Sequence, residues 1–213
     1  MLTIHHLGKS QSERIIWLCE ELDVPYELKR YTRDSVSMLS PPELKALHPL
    51  GAAPVITDGE LVLAESGAII EYIIAKYGGG RLALDLNHPD FAQYLYWFHF
   101  ANANLQPTMG RNMTLRRLKL AENDPTMELT RNRLDRGLDL VDARLRDAVY
   151  LAGREFTAAD IMIAFSLTTM RLFLPLDLGP YVHIKAYLHR IGERAAYQSA
   201  MHKGDPDLVP LLS

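Results

Sequence analysis

The sequence predicts an α/β domain followed by an all-α domain. Near the amino terminus, apolar runs of strand length alternate with one helical pattern. Two further apolar runs flank Asp58-Gly59, a dipeptide typical of a tight β-hairpin. In the remainder of the chain, apolar residues recur at helical spacing only. The predicted parts are an α/β domain at 1–80, a linker at 81–87 and a helical domain at 88–213.

The first domain begins with a β-α-β pattern. Residues 2–7 and 26–31 are strand candidates on either side of an amphipathic helix. The apolar face of this helix is formed by Ile15, Leu18, Cys19 and Leu22. The helix is expected to end near Val24, because the residue before a proline disfavours the helical conformation. Two strands joined through a helix are expected to be parallel.

The rest of the first domain contains a loop, the hairpin and a second helix. Residues 32–47 are polar and predict a loop with one or two short helical turns. After the hairpin strands at 54–57 and 60–64, isoleucines at helical spacing predict a helix that ends at 78–80, a run of glycines. Ser66 is its predicted N-cap. The free N–H groups at such a helix start favour an anion.

The second domain starts with two long helices. The first runs from residue 88 to about 119, is rich in aromatic residues, and is expected to bend at Pro107, which removes one backbone hydrogen bond. Asp124 and Pro125 predict the N-cap and first turn of the next helix, which continues to about residue 149.

A capping box introduces the next helix of this domain. Thr157 and Asp160 have the spacing at which each side chain caps the other residue's backbone N–H. The following residues, 161–173, are apolar on almost every side and predict a buried central helix. Two last helices are expected at 180–193 and 196–202.

The composition excludes several classes of protein. A content of 48% hydrophobic and 23% charged residues is ordinary for a globular protein, and a formal charge of −3 argues against nucleic-acid binding. Neither a membrane-length apolar run nor a signal peptide is apparent, so we expect a cytoplasmic protein that does not bind membranes. The single cysteine, Cys19, excludes internal disulfides and a Cys-rich metal site, and no metal is expected.

Three sequence motifs carry a resemblance to a known family. The string Pro-Leu-Gly-Ala-Ala-Pro-Val-Ile at 49–56, the hairpin, and Glu-Ser-Gly-Ala-Ile-Ile at 65–70 resemble the glutathione-binding, thioredoxin-like half of the cytosolic glutathione transferases. The string Phe-Thr-Ala-Ala-Asp-Ile at 156–161 is similar to the capping motif of their helical domain. The likeness covers nearly the whole chain and implies a thioredoxin-like domain followed by an all-α domain. It also implies a homodimer, with the aromatic and the isoleucine-rich helices contributing to its interface.

The resemblance implies how glutathione would be held. It implies a cis peptide bond before Pro54 and a backbone contact between Val55 and the cysteinyl part of glutathione. Glu65 and Ser66 would hold the γ-glutamyl end. The family often has a lysine where this chain has Ala52, so the glycyl carboxylate needs another cation, for which the candidates are His48, Lys45 and Arg33.

Ser10 is the predicted residue that activates the thiol. A free thiol of pKa about 8.5 is mostly protonated at neutral pH, and only the thiolate is a good nucleophile. Ser10-Gln11, followed by Arg14, resembles the serine-type members of the family, which are theta-like, phi-like, bacterial or fungal relatives. Two alternatives remain: Ser10 forms a capping box with Glu13, or Ser12 is the hydroxyl that faces the thiol. Lys9 is a further source of positive charge near the site.

The neighbouring histidines and the cysteine are expected to be structural. His5 and His6 are adjacent in a strand and face opposite ways, so at most one points toward the site. Cys19 lies on the apolar face of its helix, too far along to replace Ser10. No Cys-x-x-Cys motif occurs, which excludes dithiol exchange within the chain.

The expected reaction is attack of glutathione on an apolar electrophile. The residues predicted to form the electrophile pocket lie after the first strand and along the first long helix: Leu7, Asn102, Gln106, Met109 and Met113. The alternative for this stripe is plain hydrophobic core. Other glutathione-dependent enzymes on the same scaffold, such as a peroxidase, isomerase or dehalogenase, and a non-catalytic glutathione-binding or partner-docking module are the alternative functions.

Overall fold

The computed structural model describes residues 1–121 and 123–213 and contains two compact units. The first unit joins Met1–Ala83 to Gly192–Pro210, and the second joins Leu84–Ile191 to Leu211–Ser213. The first unit contains a mixed sheet with helices, and the elements of the second, as far as the chain is described, are helical. The predicted fold class is confirmed.

The first unit has four strands and four helices in its described residues. In chain order they are β1 (Leu2–Leu7), α1 (Glu13–Leu22), β2 (Glu27–Tyr31), α2 (Pro42–Lys45), β3 (Val55–Asp58), β4 (Leu61–Ala64) and α3 (Ser66–Lys76), with α9 (Ala195–Gly204) near the carboxyl terminus.

The sheet has the strand order β2-β1-β3-β4. β1 and β2 are parallel, with Ile4 opposite Leu28, whereas β1 and β3 are antiparallel, with Ile4 opposite Ile56. β3 and β4 form the predicted hairpin around Asp58 and Gly59, and Gly59 has the positive φ of 61° that such a tight turn requires. The parallel β-α-β start and the hairpin are both confirmed.

Helix α9 belongs to the first unit because it packs against α1. The rings of Trp17 and Tyr197 meet edge to face with centroids 4.9 Å apart. Nearby, the guanidinium of Arg194 donates to the carboxylate of Glu21 at 2.6 and 2.7 Å. The helical segment predicted for 88–213 therefore includes one helix, α9, that the structure groups with the sheet.

The second unit is built from five α-helices and two shorter helical segments in its described residues. They are α4 (Phe91–Phe100), a π-helical segment (Ala101–Leu105), α5 (Gln106–Arg117), α6 (Pro125–Asp147), α7 (Ala158–Leu167), a 3₁₀ segment (Thr169–Leu172) and α8 (Val182–Gly192). None of the helices in the described ranges is long and apolar enough to cross a membrane.

The predicted bend at Pro107 takes the form of a π-helical turn. Pro107 cannot donate a hydrogen bond to the carbonyl four residues earlier, and its ring crowds that carbonyl. A wider turn at Ala101–Leu105, immediately before α5, accommodates this change. The predicted single helix therefore consists of two α-helices joined by the π segment.

Helix α7 is the buried centre of the second unit, as predicted. All ten of its residues are buried, and Thr157 and Asp160 form the expected capping box. The Asp160 carboxylate also accepts hydrogen bonds from the Leu151 N–H (2.9 Å) and the Tyr187 hydroxyl (3.1 Å). The helix ends at Leu167, earlier than the predicted 173, because Thr168 leaves the helical conformation with φ −122° and ψ −98°.

Candidate glutathione site

The turn between β1 and α1 holds Ser10 just below the protein surface. Ser10 is 6% exposed, and its hydroxyl lies 2.7 Å from that of Ser12. Its Oγ also accepts the Ser12 N–H at 3.3 Å. The N-cap of α1 is Ser12, and no side chain caps this helix. Since Glu13 donates to the backbone carbonyl of Ser10 and not to its side chain, the alternative capping box of Ser10 and Glu13 is not formed.

Ser12, the alternative hydroxyl, is fully buried. Its Oγ accepts the Leu7 N–H at 3.2 Å and lies 2.9 Å from Nδ1 of His6. With 0% of Ser12 exposed, only Ser10 of the two serines retains surface that a ligand can reach.

Gln11 connects three segments that the sequence motifs had singled out. Its amide Nε2 donates to the Ala53 carbonyl at 3.3 Å, next to the cis peptide bond between Ala53 and Pro54. Its Oε1 accepts from the Ser66 hydroxyl at 3.3 Å and from Nη1 of Arg14 at 2.9 Å. The β1–α1 turn, the start of β3 and the start of α3 therefore lie together. The implied cis bond is present, and Val55, the first residue of β3, directly follows Pro54.

The start of α3 differs from the prediction in its capping residue. Ser66 was expected to be the N-cap, but Glu65 occupies that position and Ser66 is the first helical residue. The Ser66 hydroxyl is buried and faces Gln11 and Arg14, so it is not available to cap the helix. Glu65 is exposed and has φ 75° and ψ 118°, a sparsely populated conformation for a residue other than glycine.

A buried cation lies behind this helix start. Arg14 is 1% exposed, and its Nη1 lies 3.3 Å from the Ser66 hydroxyl. Burial lowers the pKa of Arg14 to about 9, against an opposing effect of Glu13, so the guanidinium remains charged at neutral pH. Together with the free N–H groups of α3, this charge makes the region around Ser66 attractive for a carboxylate.

The candidates for a cation near Ala52 have different environments. Arg33 donates to the backbone carbonyls of Gly8 (3.1 Å), Lys9 (3.2 Å) and Met38 (3.0 Å), so it braces the turn that carries Ser10. His48 is half-buried, and its Nδ1 accepts the Leu50 N–H at 3.3 Å. Lys45 is exposed, as is Ala52.

His5 and His6 point to opposite faces of β1, as alternation predicts. His5 contacts the Tyr31 hydroxyl at 2.9 Å and Thr57 Oγ1 at 3.2 Å. Burial lowers its pKa, and the charge of Lys29 adds to this effect. His6 lies between Ser12 and Asp205, and its Nε2 is 3.1 Å from Oδ2 of Asp205.

Four residues of this region were not assigned a role from the sequence: His6, Gln11, Arg14 and Asp205. The sequence predicts an ordinary strand residue at His6, and it marks Gln11 and Arg14 only as part of a family pattern. Asp205 is separated from His6 by 199 residues. No local signal could have joined them.

Cys19 is structural, as predicted. It is buried, and burial together with the charge of Glu20 raises the pKa of its thiol to about 12. Among the described residues no group of three or more His, Cys, Asp and Glu side chains has a geometry that could hold a metal ion.

The predicted pocket residues are divided between the two units. Leu7 lies in the first unit and packs in a small apolar cluster with Tyr31, Leu44 and Ala53. The other four lie in the second unit, Asn102 in the π segment and Gln106, Met109 and Met113 on α5. Met109 is fully buried, whereas Asn102, Gln106 and Met113 are half-buried.

Comparisons with known proteins agree with this geometry. Residues 3–75 match the model of the glutathione S-transferase amino-terminal domain, and residues 124–190 match that of the carboxyl-terminal domain. Glutathione S-transferase 3 of Schizosaccharomyces pombe is 32% identical over 100% of this chain and 92% of its own length. A crystal structure of a glutathione S-transferase from Actinobacillus pleuropneumoniae is 30% identical, covers 96% of this chain and 93% of its own, and superposes with a TM-score of 0.88. A glutathione transferase family member from Pseudomonas fluorescens, solved with two glutathione bound, has the same fold, with a TM-score of 0.78 at 21% identity and coverage of 94% and 92%. The chain belongs to the glutathione S-transferase family.

Proposed function

We propose that this chain is a glutathione transferase of the serine type, in which Ser10 stabilises the thiolate of bound glutathione for attack on an apolar electrophile. The observation that carries the proposal is the Gln11 side chain, which holds the Ser10 turn, the Ala53–Pro54 peptide and Ser66 together. These are the segments that a tripeptide must contact at its thiol, its backbone and its γ-glutamyl end.

The γ-glutamyl group of glutathione would bind at the start of α3. Its carboxylate would face the N–H groups at the start of this helix, including the backbone N–H of Ser66, with the charge of Arg14 behind them. The exposed carboxylate of Glu65 would accept a hydrogen bond from the γ-glutamyl ammonium group. The unusual backbone conformation of Glu65 supports a binding role, since such conformations persist where the surrounding structure enforces them.

The glycyl carboxylate would bind near Ala52, with His48 as its partner and Lys45 as a second source of charge. Both side chains lie in the segment just before Ala52, and Arg33 is already engaged by backbone carbonyls. An exposed ionic contact of this kind contributes at most about 1 kcal/mol, so affinity for glutathione depends mainly on Val55 and the start of α3.

The electrophile would be apolar and would contact the half-buried residues Asn102, Gln106 and Met113. A flexible methionine accommodates apolar groups of varied shape. Met109 is buried in the same unit and would support these residues from behind, whereas Leu7 is buried in the first unit.

We also propose that the protein is a homodimer through a surface of the second unit. The isoleucines of α3 are buried in the first unit, so this helix offers less apolar surface than predicted. On α4 and α6, by contrast, Leu95, Tyr96 and Leu140 are 40%, 48% and 43% exposed. Tyr96 and Leu140 line a cavity of about 250 Å³, which a side chain from a second copy would fill.

The experiment that tests the role of Ser10 is a thiolate titration. Glutathione bound to the protein is titrated with base, and the ultraviolet absorbance of the thiolate gives the pKa of the bound thiol. A charge-assisted hydrogen bond contributes about 1.5–3 kcal/mol, so Ser10→Ala should raise this pKa by about one to two units. The dissociation constant of glutathione should change little, because the tripeptide keeps its other contacts.

The matched control is Ser35→Ala, since Ser35 is an exposed serine on the loop after β2. This variant should leave the thiol pKa unchanged. An equal pKa for glutathione bound to the Ser10→Ala protein and to the parent would reject Ser10 as the activating residue. Binding without any lowered thiol pKa in the parent protein would indicate a binding module in place of an enzyme.

A further inference from the structure

A continuous chain of hydrogen bonds runs from Ser10 into the interior of the first unit. Ser10 Oγ lies 2.7 Å from Ser12 Oγ, which lies 2.9 Å from His6 Nδ1. His6 Nε2 lies 3.1 Å from Asp205 Oδ2. The two middle residues have no exposed surface, and 11% of the Asp205 side chain is exposed. The chain therefore connects the proposed thiol site to a carboxylate that reaches solvent.

The direction of each hydrogen bond follows from the charge of Asp205. Burial alone would raise the pKa of Asp205, but the hydrogen bonds from His6 and from the Lys9 N–H outweigh it and lower that pKa. Asp205 is therefore a carboxylate and only accepts, so Nε2 of His6 carries a proton. When this is the only proton on the ring, Nδ1 is an acceptor, and the Ser12 hydroxyl donates to it over 2.9 Å in preference to the Leu7 carbonyl at 3.5 Å.

This assignment leaves Ser10 in the wrong state to stabilise a thiolate. With its own proton given to His6, Ser12 Oγ accepts the Leu7 N–H and can only accept from Ser10. The Ser10 proton therefore points at Ser12, away from any ligand. What Ser10 offers a bound thiol is a lone pair, which accepts the S–H proton.

We propose that His6 takes up the proton that the glutathione thiol loses, by way of Ser10 and Ser12, and that this transfer turns Ser10 into a donor to the thiolate. The inference rests on the proposed function of Ser10. The S–H bond breaks and an O–H bond forms on Ser10, while the former Ser10 proton moves to Ser12 Oγ and the former Ser12 proton moves to His6 Nδ1. The products are a thiolate facing the new Ser10 proton and an imidazolium paired with Asp205. No proton is exchanged with solvent, and the net charge is unchanged.

Two groups with negative charge lie against the ring of His6. Besides Asp205, the carboxyl end of α9 lies against it, since a Cβ added at Gly204 would come within 3.2 Å of His6 Nε2. The partial negative charge of a helix carboxyl terminus stabilises a nearby cation. The glycine at this position permits that close approach.

The other charged groups around His6 line a cavity of about 700 Å³ that also includes His6 and Asp205. Lys9, Arg30 and Arg33 oppose an imidazolium, and Asp207 favours it. Arg33 donates to backbone carbonyls and interacts with the charge of Asp205. Both interactions reduce the repulsion between Arg33 and a charged His6 ring. His6 Nε2 contacts Oδ2 of Asp205 directly, at 3.1 Å.

A proton count on the unaltered protein tests this relay without any variant. Glutathione is titrated calorimetrically at neutral pH in two buffers of different ionisation enthalpy, which gives the number of protons released per glutathione bound. The thiolate absorbance of the same complex gives the number of thiolates formed. If His6 retains the proton, far fewer protons than thiolates are produced. One proton released for each thiolate formed would overturn the proposal.

Variants then test each link against a matched control. His6→Gln and Ser12→Ala should raise the pKa of the bound thiol by about one unit or more, which is a tenfold or greater fall in the thiolate-to-thiol ratio. Asp205→Asn should shift it in the same direction. The controls are His5→Gln, on the opposite face of β1, and Asp207→Asn, which removes a charge from the same cavity and should shift the thiol pKa less than Asp205→Asn does. Equal shifts in a variant and its control would contradict the relay.

The result separates this inference from the proposed function. If Ser10→Ala raises the thiol pKa but the unaltered protein releases one proton per thiolate, the function of Ser10 stands and the relay is wrong. If no thiolate forms in the unaltered protein, both fail. A variant that only loosens the fold would change the unfolding midpoint without changing the ratio of protons to thiolates.

Discussion

The buried carboxylate of Asp160 provides a sharp test of how the second unit is held together. One oxygen accepts from the Leu151 N–H at 2.9 Å and the Tyr187 hydroxyl at 3.1 Å. The other accepts from the N–H and the hydroxyl of Thr157 at 2.9 and 3.3 Å. Every neighbour is a donor. In Asp160→Asn, either orientation of the amide therefore points an NH₂ group at two donors and leaves them without an acceptor.

The expected loss of stability follows from these two unsatisfied donors. A buried donor without a partner costs about 1–3 kcal/mol, so two of them predict a loss of about 4 kcal/mol. With a urea dependence of about 2–3 kcal/mol/M, the midpoint of urea unfolding should fall by about 1.3–2 M. Circular dichroism of the helices measures this transition.

The control for this substitution is Asp124→Asn. Asp124 caps α6 by accepting from the N–H groups of Thr126 and Met127, and asparagine caps a helix about as well as aspartate. This change should cost less than about 0.5 kcal/mol. If Asp160→Asn lowers the midpoint no more than Asp124→Asn does, the view that the carboxylate organises the start of α7 is refuted.

Three further results are expected. Asp58 accepts hydrogen bonds from Lys76 and two tyrosines, which lower the pKa of its carboxyl group. Its stabilising effect is therefore present above about pH 4 and is lost as the pH falls further, so acid unfolding should depend less on pH in Asp58→Asn. Cys19 should react with a thiol reagent in urea but not in the native protein, since burial raises its pKa to about 12, and Cys19→Ala should retain activity. Tyr96→Glu should convert the proposed homodimer to a monomer in light scattering, and an unchanged mass would exclude this surface as the interface.

Local patterns were sufficient to predict most of the secondary structure. Asp58-Gly59 predicts a tight turn, and the spacing of Thr157 and Asp160 predicts a capping box. A helix that is apolar on all sides is stable only in a core. Each of these signals acts within a few residues. The hairpin, the capping box and the buried helix could therefore be predicted from neighbouring residues alone.

The errors arose where a distant residue outweighs a local preference. Ser66 has the chemistry of an N-cap, but its hydroxyl is engaged by Arg14 and Gln11. These two residues precede Ser66 by 52 and 55 positions in the sequence. In the same way, His6 was unremarkable within its strand, and its partner Asp205 lies near the other end of the chain. Hydrogen bonds of this kind depend on tertiary packing, which spacing alone does not reveal.

The placement of α9 and Asp205 has a consequence for how the protein is made. The turn that carries Ser10 is completed by Asp205, which accepts the Lys9 N–H at 3.0 and 3.1 Å across 196 residues of sequence. On the ribosome, the sheet emerges first, and α9 emerges only after helices α4 to α8 of the second unit. A nascent chain released or cleaved before residue 192 would therefore contain all four strands and Ser10, yet lack the groups that fix the conformation of that turn. Competence for chemistry should appear only after Asp205 has been synthesised and α9 has packed against α1.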